Sequence, residues 1–210
     1  MRILQAAGLS RTLLLPGDLT ELGAAPTVRE DAATFAGNAV LKAEQWAQWS
    51  GLPVVADDSG LCVDALHGMP GVLSARWSGR FGVAHPGGVD VANVALLLDQ
   101  LRDVPETRRT AQFVCAAAYC DPGSGEVFVC EGQLAGRIVR TPAGTGGFGY
   151  DPIFAPAGHA VTTAELTPEQ KDGLSHRGQA LRSLASVLAQ SRGPDTPAPD
   201  ARDTHPAAGG

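Results

Sequence analysis

Apolar residues recur at helical spacing after Thr34, where Phe35, Ala39, Ala43, Trp46 and Ala47 share one side of a segment that runs to about Ser50. Thr34 is a favourable N-cap, and Gly51 followed by Pro53 ends the pattern, so a helix is predicted between them. Asn38 and Lys42, four residues apart, share another face of it. A short apolar run from Pro53 to Ala56 then predicts a buried strand ending at Asp57-Asp58-Ser59-Gly60. Val89 to Leu101 reads as an amphipathic helix with Val94, Leu97, Leu98 and Leu101 inward. Ala111 to Cys120 and Glu126 to Val139, rich in Val, Phe, Cys and Ala around Asp121-Pro-Gly-Ser-Gly125, predict a β-hairpin. Thr141 to Phe154 is a loop dense in glycine and proline, and Arg177 to Gln190 is a last helix with Ala180, Leu181, Leu184 and Leu188 on one side. Helices alternate with strands around an antiparallel hairpin, which suggests an α/β domain with a mixed sheet.

Composition narrows this picture. With 210 residues, 44% hydrophobic and 18% charged, the chain can bury one sizeable core. A net charge of −6 argues against a nucleic-acid partner, which needs a basic face. No stretch approaches the ~18 apolar residues of a membrane span. The four cysteines, Cys62, Cys115, Cys120 and Cys130, sit in strand-like runs without Cys-x-x-Cys spacing and read as buried thiols of a cytoplasmic protein. From Ser191 the chain is rich in Pro, Ala, Gly and Asp, so residues 1–190 are expected to form the domain and 191–210 a disordered tail.

Several groups carry candidate chemistry. Asp57 and Asp58, adjacent at a strand end, can hold Mg²⁺ and orient a water, with Ser59 and Gly60 donating to a phosphate; an ordinary acidic turn fits the same residues. Glu30 is a possible second metal ligand, or simply a favourable charge near a helix N-terminus. Asn38 and Lys42 can face a triphosphate, or form a solvated helix face. Arg76 can contact phosphate or stack on Trp77. In Gly147-Phe148-Gly149-Tyr150-Asp151, glycines allow close backbone approach, Phe148 offers a stacking face and Asp151 an acceptor. Lys171, His176 and Arg177 supply donors in a row before the last helix. Together they describe a nucleotide site.

Several segments resemble the inosine triphosphate pyrophosphatase, or Ham1-like, family: TFAGNAVLKA (from Thr34), GLPVVADDSGLCVDAL (from Gly51), GMPGVLSARWSG (from Gly68), GTGGFGYDPIF (from Gly144) and AELTPEQKDGLSHRGQAL (from Ala164). They follow family order from about Ala7 to Leu188. The resemblance implies a two-lobed α/β fold with the active site in the cleft between lobes, usually in a homodimer. It implies Mg²⁺-dependent hydrolysis of ITP, dITP, XTP and dXTP to the monophosphate and pyrophosphate. Carried over, Asp58 is the general base and a metal ligand, Glu30 a further Mg²⁺ ligand and Ser59 a substrate contact. Asn38 and Lys42 face the phosphates, Phe148, Gly149, Tyr150 and Asp151 hold base and ribose, and Lys171, His176 and Arg177 read the purine edge.

The chain also departs from the pattern. Family members open with a strand and a Ser/Thr-x-Asn-x-x-Lys phosphate loop, whereas Met1 to Leu9 resembles the end of the following helix. The expectation is that the strand and loop are missing, through a start upstream of Met1 or through truncation. Two alternatives therefore stand beside the pyrophosphatase: a nucleotide-binding protein without turnover, and a metal-dependent phosphatase of other specificity.

Overall fold

The computed structural model describes residues 16–79 and 87–191. The expected missing strand and loop, and the tail from residue 192 on, lie outside these residues.

Helix α1, Phe35–Ser50, forms where its pattern predicts. Thr34 Oγ1 accepts from the Gly37 amide at 3.0 Å, and Gly51, in the left-handed region at φ 69°, closes the helix by donating to Ala47. Its stripe of Ala39, Ala43 and Ala47 lets the helix lie close on Val114, Ala116, Ala118 and Cys120 of the sheet. Asn38, on the neighbouring face that it shares with Lys42, is fully buried as well.

Strand β1 corrects the sequence reading. It does not stop at Asp57 but runs from Val54 to Val63, straight through Asp57-Asp58-Ser59-Gly60. The cause is its neighbour: β2, Thr110–Cys120, pairs with it residue for residue, from Val54 opposite Cys120 to Val63 opposite Ala111. A continuous ladder outweighs the weak turn preference of Asp, Ser and Gly. Strand β3, Val127–Ile138, completes the predicted hairpin, and a short β4, Phe154–Pro156, pairs with its end. The sheet order is β1-β2-β3-β4. The α/β class holds, but each pairing is antiparallel, so a parallel pair, as a mixed sheet requires, is not among the described residues.

Side-chain alternation along β2 divides the core. Cys115, Ala117 and Tyr119 face Ala180, Leu181, Leu184 and Leu188 of the last helix, His176–Ser191, while the intervening residues face α1. At the other end of the strands Leu61, Val63, Phe113 and Ile138 pack on Val94 and Leu97 of α2, Gly88–Gln100, and on Ile153 and Phe154. The Asp57–Gly60 stretch of β1 lies between Val54–Ala56, which pack against α1 and the last helix, and Leu61 and Val63, which pack against α2. Two more elements complete the order: α3, Pro168–Leu174, opened by a capping box of Thr167 and Gln170, and the helix His176–Ser191, which becomes α4. Gly132 sets the approach of α4: a Cβ there would fall 2.1 Å from the His176 carbonyl oxygen.

Candidate active site

On the α1 side of β1, Asp58 is held at both oxygens. Lys42 Nζ lies 2.9 Å from Oδ1 and Asn38 Nδ2 donates to Oδ2 at 3.2 Å. Asn38 is itself fixed, its Oδ1 accepting from the Ala32 amide at 3.0 Å, which explains why a buried asparagine is tolerated beside the alanine stripe. Lys42 also reaches Glu30 at 3.3 Å, and Arg76 reaches the far oxygen of Glu30 at 3.8 Å and its carbonyl at 3.2 Å. Burial works against the Lys42 cation, but the hydrogen bond and charge of Asp58, with Glu30, outweigh it and raise its pKa above the ordinary value. Arg76 thus serves the acidic cluster, while Trp77 donates to Gln100 at 2.9 Å. An open groove lined by Val28, Arg29, Glu30, Val72, Leu73 and Arg76 adjoins the cluster.

The period of a strand sends Asp57 and Ser59 to the opposite face. There Arg177 Nε donates to Asp57 Oδ2 at 2.9 Å and Nη2 to Ser59 Oγ at 3.3 Å. The two adjacent aspartates are therefore not one clamp: Asp58 joins Lys42, Asn38 and Glu30, and Asp57 joins Arg177 in the first turn of α4. Beside Arg177, the His176 ring stacks on Phe113, with centroids 5.1 Å apart and planes 11° from parallel. Asp151 is buried; it forms an ion pair with Lys171 and accepts from Thr163 Oγ1 at 2.8 Å and from the Phe148 amide at 2.8 Å. Phe148 is 69% exposed, and Lys171 Nζ lies 5.2 Å from its ring centroid. Gly147, at φ 76°, is required here, because a Cβ would sit 2.0 Å from Asp151 Oδ2.

The supports of this loop escaped the sequence reading. Asp90 of α2 accepts from the Gly149 amide at 2.8 Å. Tyr150, buried, donates through its hydroxyl to the Ser74 carbonyl at 2.9 Å, rather than facing an open cleft. Asn93, also buried, ties the Ser74–Ser78 turn to α2 by accepting from the Ser78 amide at 2.7 Å.

Burial and the neighbouring Arg177 cation push the His176 pKa down to about 4, with Asp151 and Asp57 opposing only in part. The ring is thus neutral at pH 7 and offers one donor and one acceptor. The unfolded chain, with an ordinary imidazole near 6.5, binds more protons than the folded one between those values. This contribution to stability is present above about 6.5 and is lost as the pH falls toward about 4. Thermal melts of wild type and His176→Gln at about pH 7.5 and about pH 5 should show the wild type losing more on acidification. Equal losses would acquit the imidazole.

The arrangement, with an acid-lysine cluster on one face of β1 and a cation-aromatic cluster on the other, accompanies membership of a known group: the chain belongs to the Ham1 family, which residues 3–187 match. Among its relatives, the dITP/XTP pyrophosphatase of Mycobacteroides abscessus is 52% identical over 187 residues, covering 89% of this chain and 86% of that protein. The dITP/XTP pyrophosphatase of Mycobacterium tuberculosis is 54% identical over 188 residues, 89% of this chain and 87% of that one. The crystal structure of the Mycobacterium abscessus enzyme superposes with a TM-score of 0.71 over 90% of this chain and 91% of that one, at 52% identity. A HAM1 protein from Coxiella burnetii, 37% identical, gives 0.75 over 90% and 93%.

Proposed function

We propose that this chain hydrolyses the non-standard purine nucleoside triphosphates ITP, dITP, XTP and dXTP to the monophosphate and pyrophosphate. The observation that carries the reading is the division of β1: consecutive residues present a carboxylate held by lysine and asparagine to one side, and an anchored arginine beside a neutral histidine and a lysine to the other. The first suits a triphosphate and the second a purine edge. Relatives more than half identical that bear the name dITP/XTP pyrophosphatase support it.

On the phosphate side, Lys42 and Asn38 supply a charge and a donor to the triphosphate, and Asp58 takes the proton of the water that opens the α–β anhydride. The donor set also fits a divalent cation. The Asp58 and Glu30 carboxylates already converge on a positive charge, the Lys42 ammonium, and Mg²⁺ is commonly held by one or two carboxylates with substrate phosphates completing its shell. Bound there, Mg²⁺ would neutralise phosphate charge and lower the pKa of a water. Asp57 lies on the other face and does not fit that pair.

On the base side, Phe148 offers its exposed ring for stacking. Lys171, His176 and Arg177 present donors to a keto oxygen at purine C6. An adenine would bring its amino group against those donors, and each buried donor left unpaired costs about 1–3 kcal/mol. We place the enzyme in the cytoplasm, a location its four free thiols suit, and expect a homodimer, which light scattering on a sizing column would check.

The test is release of pyrophosphate by the purified chain from dITP, XTP, dGTP and ATP, with and without Mg²⁺. Fast Mg²⁺-dependent release from dITP and XTP is expected. Orthophosphate as product would favour the phosphatase alternative, and tight binding without release the nucleotide-binding one.

A further inference from the structure

We infer that Asp57 is a positioning residue for Arg177, and through it a determinant of base selection, rather than a ligand of the metal. The inference rests on the proposed function. Its geometry is that of a two-point grip. Because Asp57 and Ser59 are two apart on β1, their side chains stand side by side on one face, and they take Arg177 at Nε and Nη2, at 2.9 and 3.3 Å. These contacts leave Nη1 unused by either anchor. A guanidinium held in plane at two donors loses little further freedom when a third meets a substrate atom, which is the advantage of arginine over lysine at such a place.

A third group completes the anchor. Cys115 stands opposite Ser59 in the β1–β2 register, is fully buried, and its Sγ donates to Asp57 Oδ2 at 3.7 Å. Burial, with the Asp57 charge, pushes its thiol up to about 12, so it stays protonated and able to donate. The Asp57 carboxylate thus lies between a neutral donor from β2 and a cation from α4, which accounts for its charge without any metal. Exposed ion pairs contribute little on their own. Asp57 and Arg177 are 29% and 39% exposed, so the effect expected of the pair is on placement rather than stability.

The experiment is a double-mutant cycle of Asp57→Ala and Arg177→Ala, with kcat and KM measured for dITP and dATP and the Mg²⁺ concentration for half-maximal rate recorded for each protein. In the wild-type background Asp57→Ala should raise KM for dITP by on the order of tenfold, lower the preference for dITP over dATP, and leave the Mg²⁺ requirement unchanged. In the Arg177→Ala background it should change little. Asp57→Asn, which keeps one acceptor for Nε, should fall between, and it replaces the alanine variant in the cycle if that variant is insoluble. Independent, additive effects of the two substitutions would overturn the inference. So would a raised Mg²⁺ requirement, which would restore Asp57 as a metal ligand, or a lowered melting temperature with an unchanged dITP preference, which would make it merely structural. Wild-type turnover of dITP is read in the same assay: its absence would sink the proposed function, whereas additivity with turnover intact sinks only this assignment.

Discussion

Asp58→Asn should leave a folded protein whose pyrophosphate release from dITP is lower by about 10³-fold or more. A positioned general base is worth roughly 10²–10⁴-fold, and the same carboxylate is one of the two that fit the cation. The asparagine is nearly isosteric, but it brings an amide nitrogen to a place where both neighbours donate. Lys42 and Asn38 each direct a hydrogen at Asp58, so one of the two must face the new NH₂. Lys42 retains Glu30 at 3.3 Å, which limits the damage to stability. Circular dichroism and a thermal melt should therefore resemble wild type, while a coupled pyrophosphate assay shows the loss. A variant retaining more than about a tenth of wild-type kcat would remove Asp58 from the role of base.

What could be read in advance, and what could not, follows from how far each residue's environment is local. Helix α1 was legible because cap, periodicity and terminator lie within one segment, from Thr34 to Gly51. The β2–β3 hairpin was legible from its apolar runs and the Asp121 turn, where Asp121 Oδ1 accepts from the Gly123 amide at 2.8 Å. The extent of β1 was not, since Asp-Asp-Ser-Gly carries turn chemistry and only pairing with β2 makes it strand. That error hid the separation of Asp57 from Asp58: a strand read through to Val63 would have placed them on opposite faces by its period alone. Helix α3 was missed although Thr167-Pro168-Glu169-Gln170 spells a capping box with proline at its first turn. Asp90, Asn93 and Thr163 had no signal to find, because each serves a backbone or side chain from a distant part of the chain.

The same non-local logic makes Arg109 the residue whose loss should unsettle the fold most. Its side chain is almost wholly buried, yet among the described residues it forms no ion pair with a carboxylate. Instead it donates to three carbonyls: Ile138 at 2.9 Å, Leu101 at 2.6 Å and Val139 at 3.3 Å. These are the end of β3, the residue after α2 and the residue after β3, joined by one planar fork. Arg109→Ala would leave a cavity and three carbonyls short of donors, a loss of about 4 kcal/mol. For a chain of this size that corresponds to a fall of roughly 10 °C in melting temperature. Lysine should not rescue it, because a single ammonium cannot span the three acceptors. The consequence reaches the site: α2 carries Asp90, which holds the Gly149 amide, and Asn93, which holds the Ser78 amide. A loosened α2 would let the Phe148 loop drift, so at a temperature where Arg109→Ala remains folded its KM for dITP should rise more than its kcat falls. Calorimetry and steady-state kinetics on the same preparation check both halves, and a variant that melts within about 3 °C of wild type would show the three bonds to be dispensable.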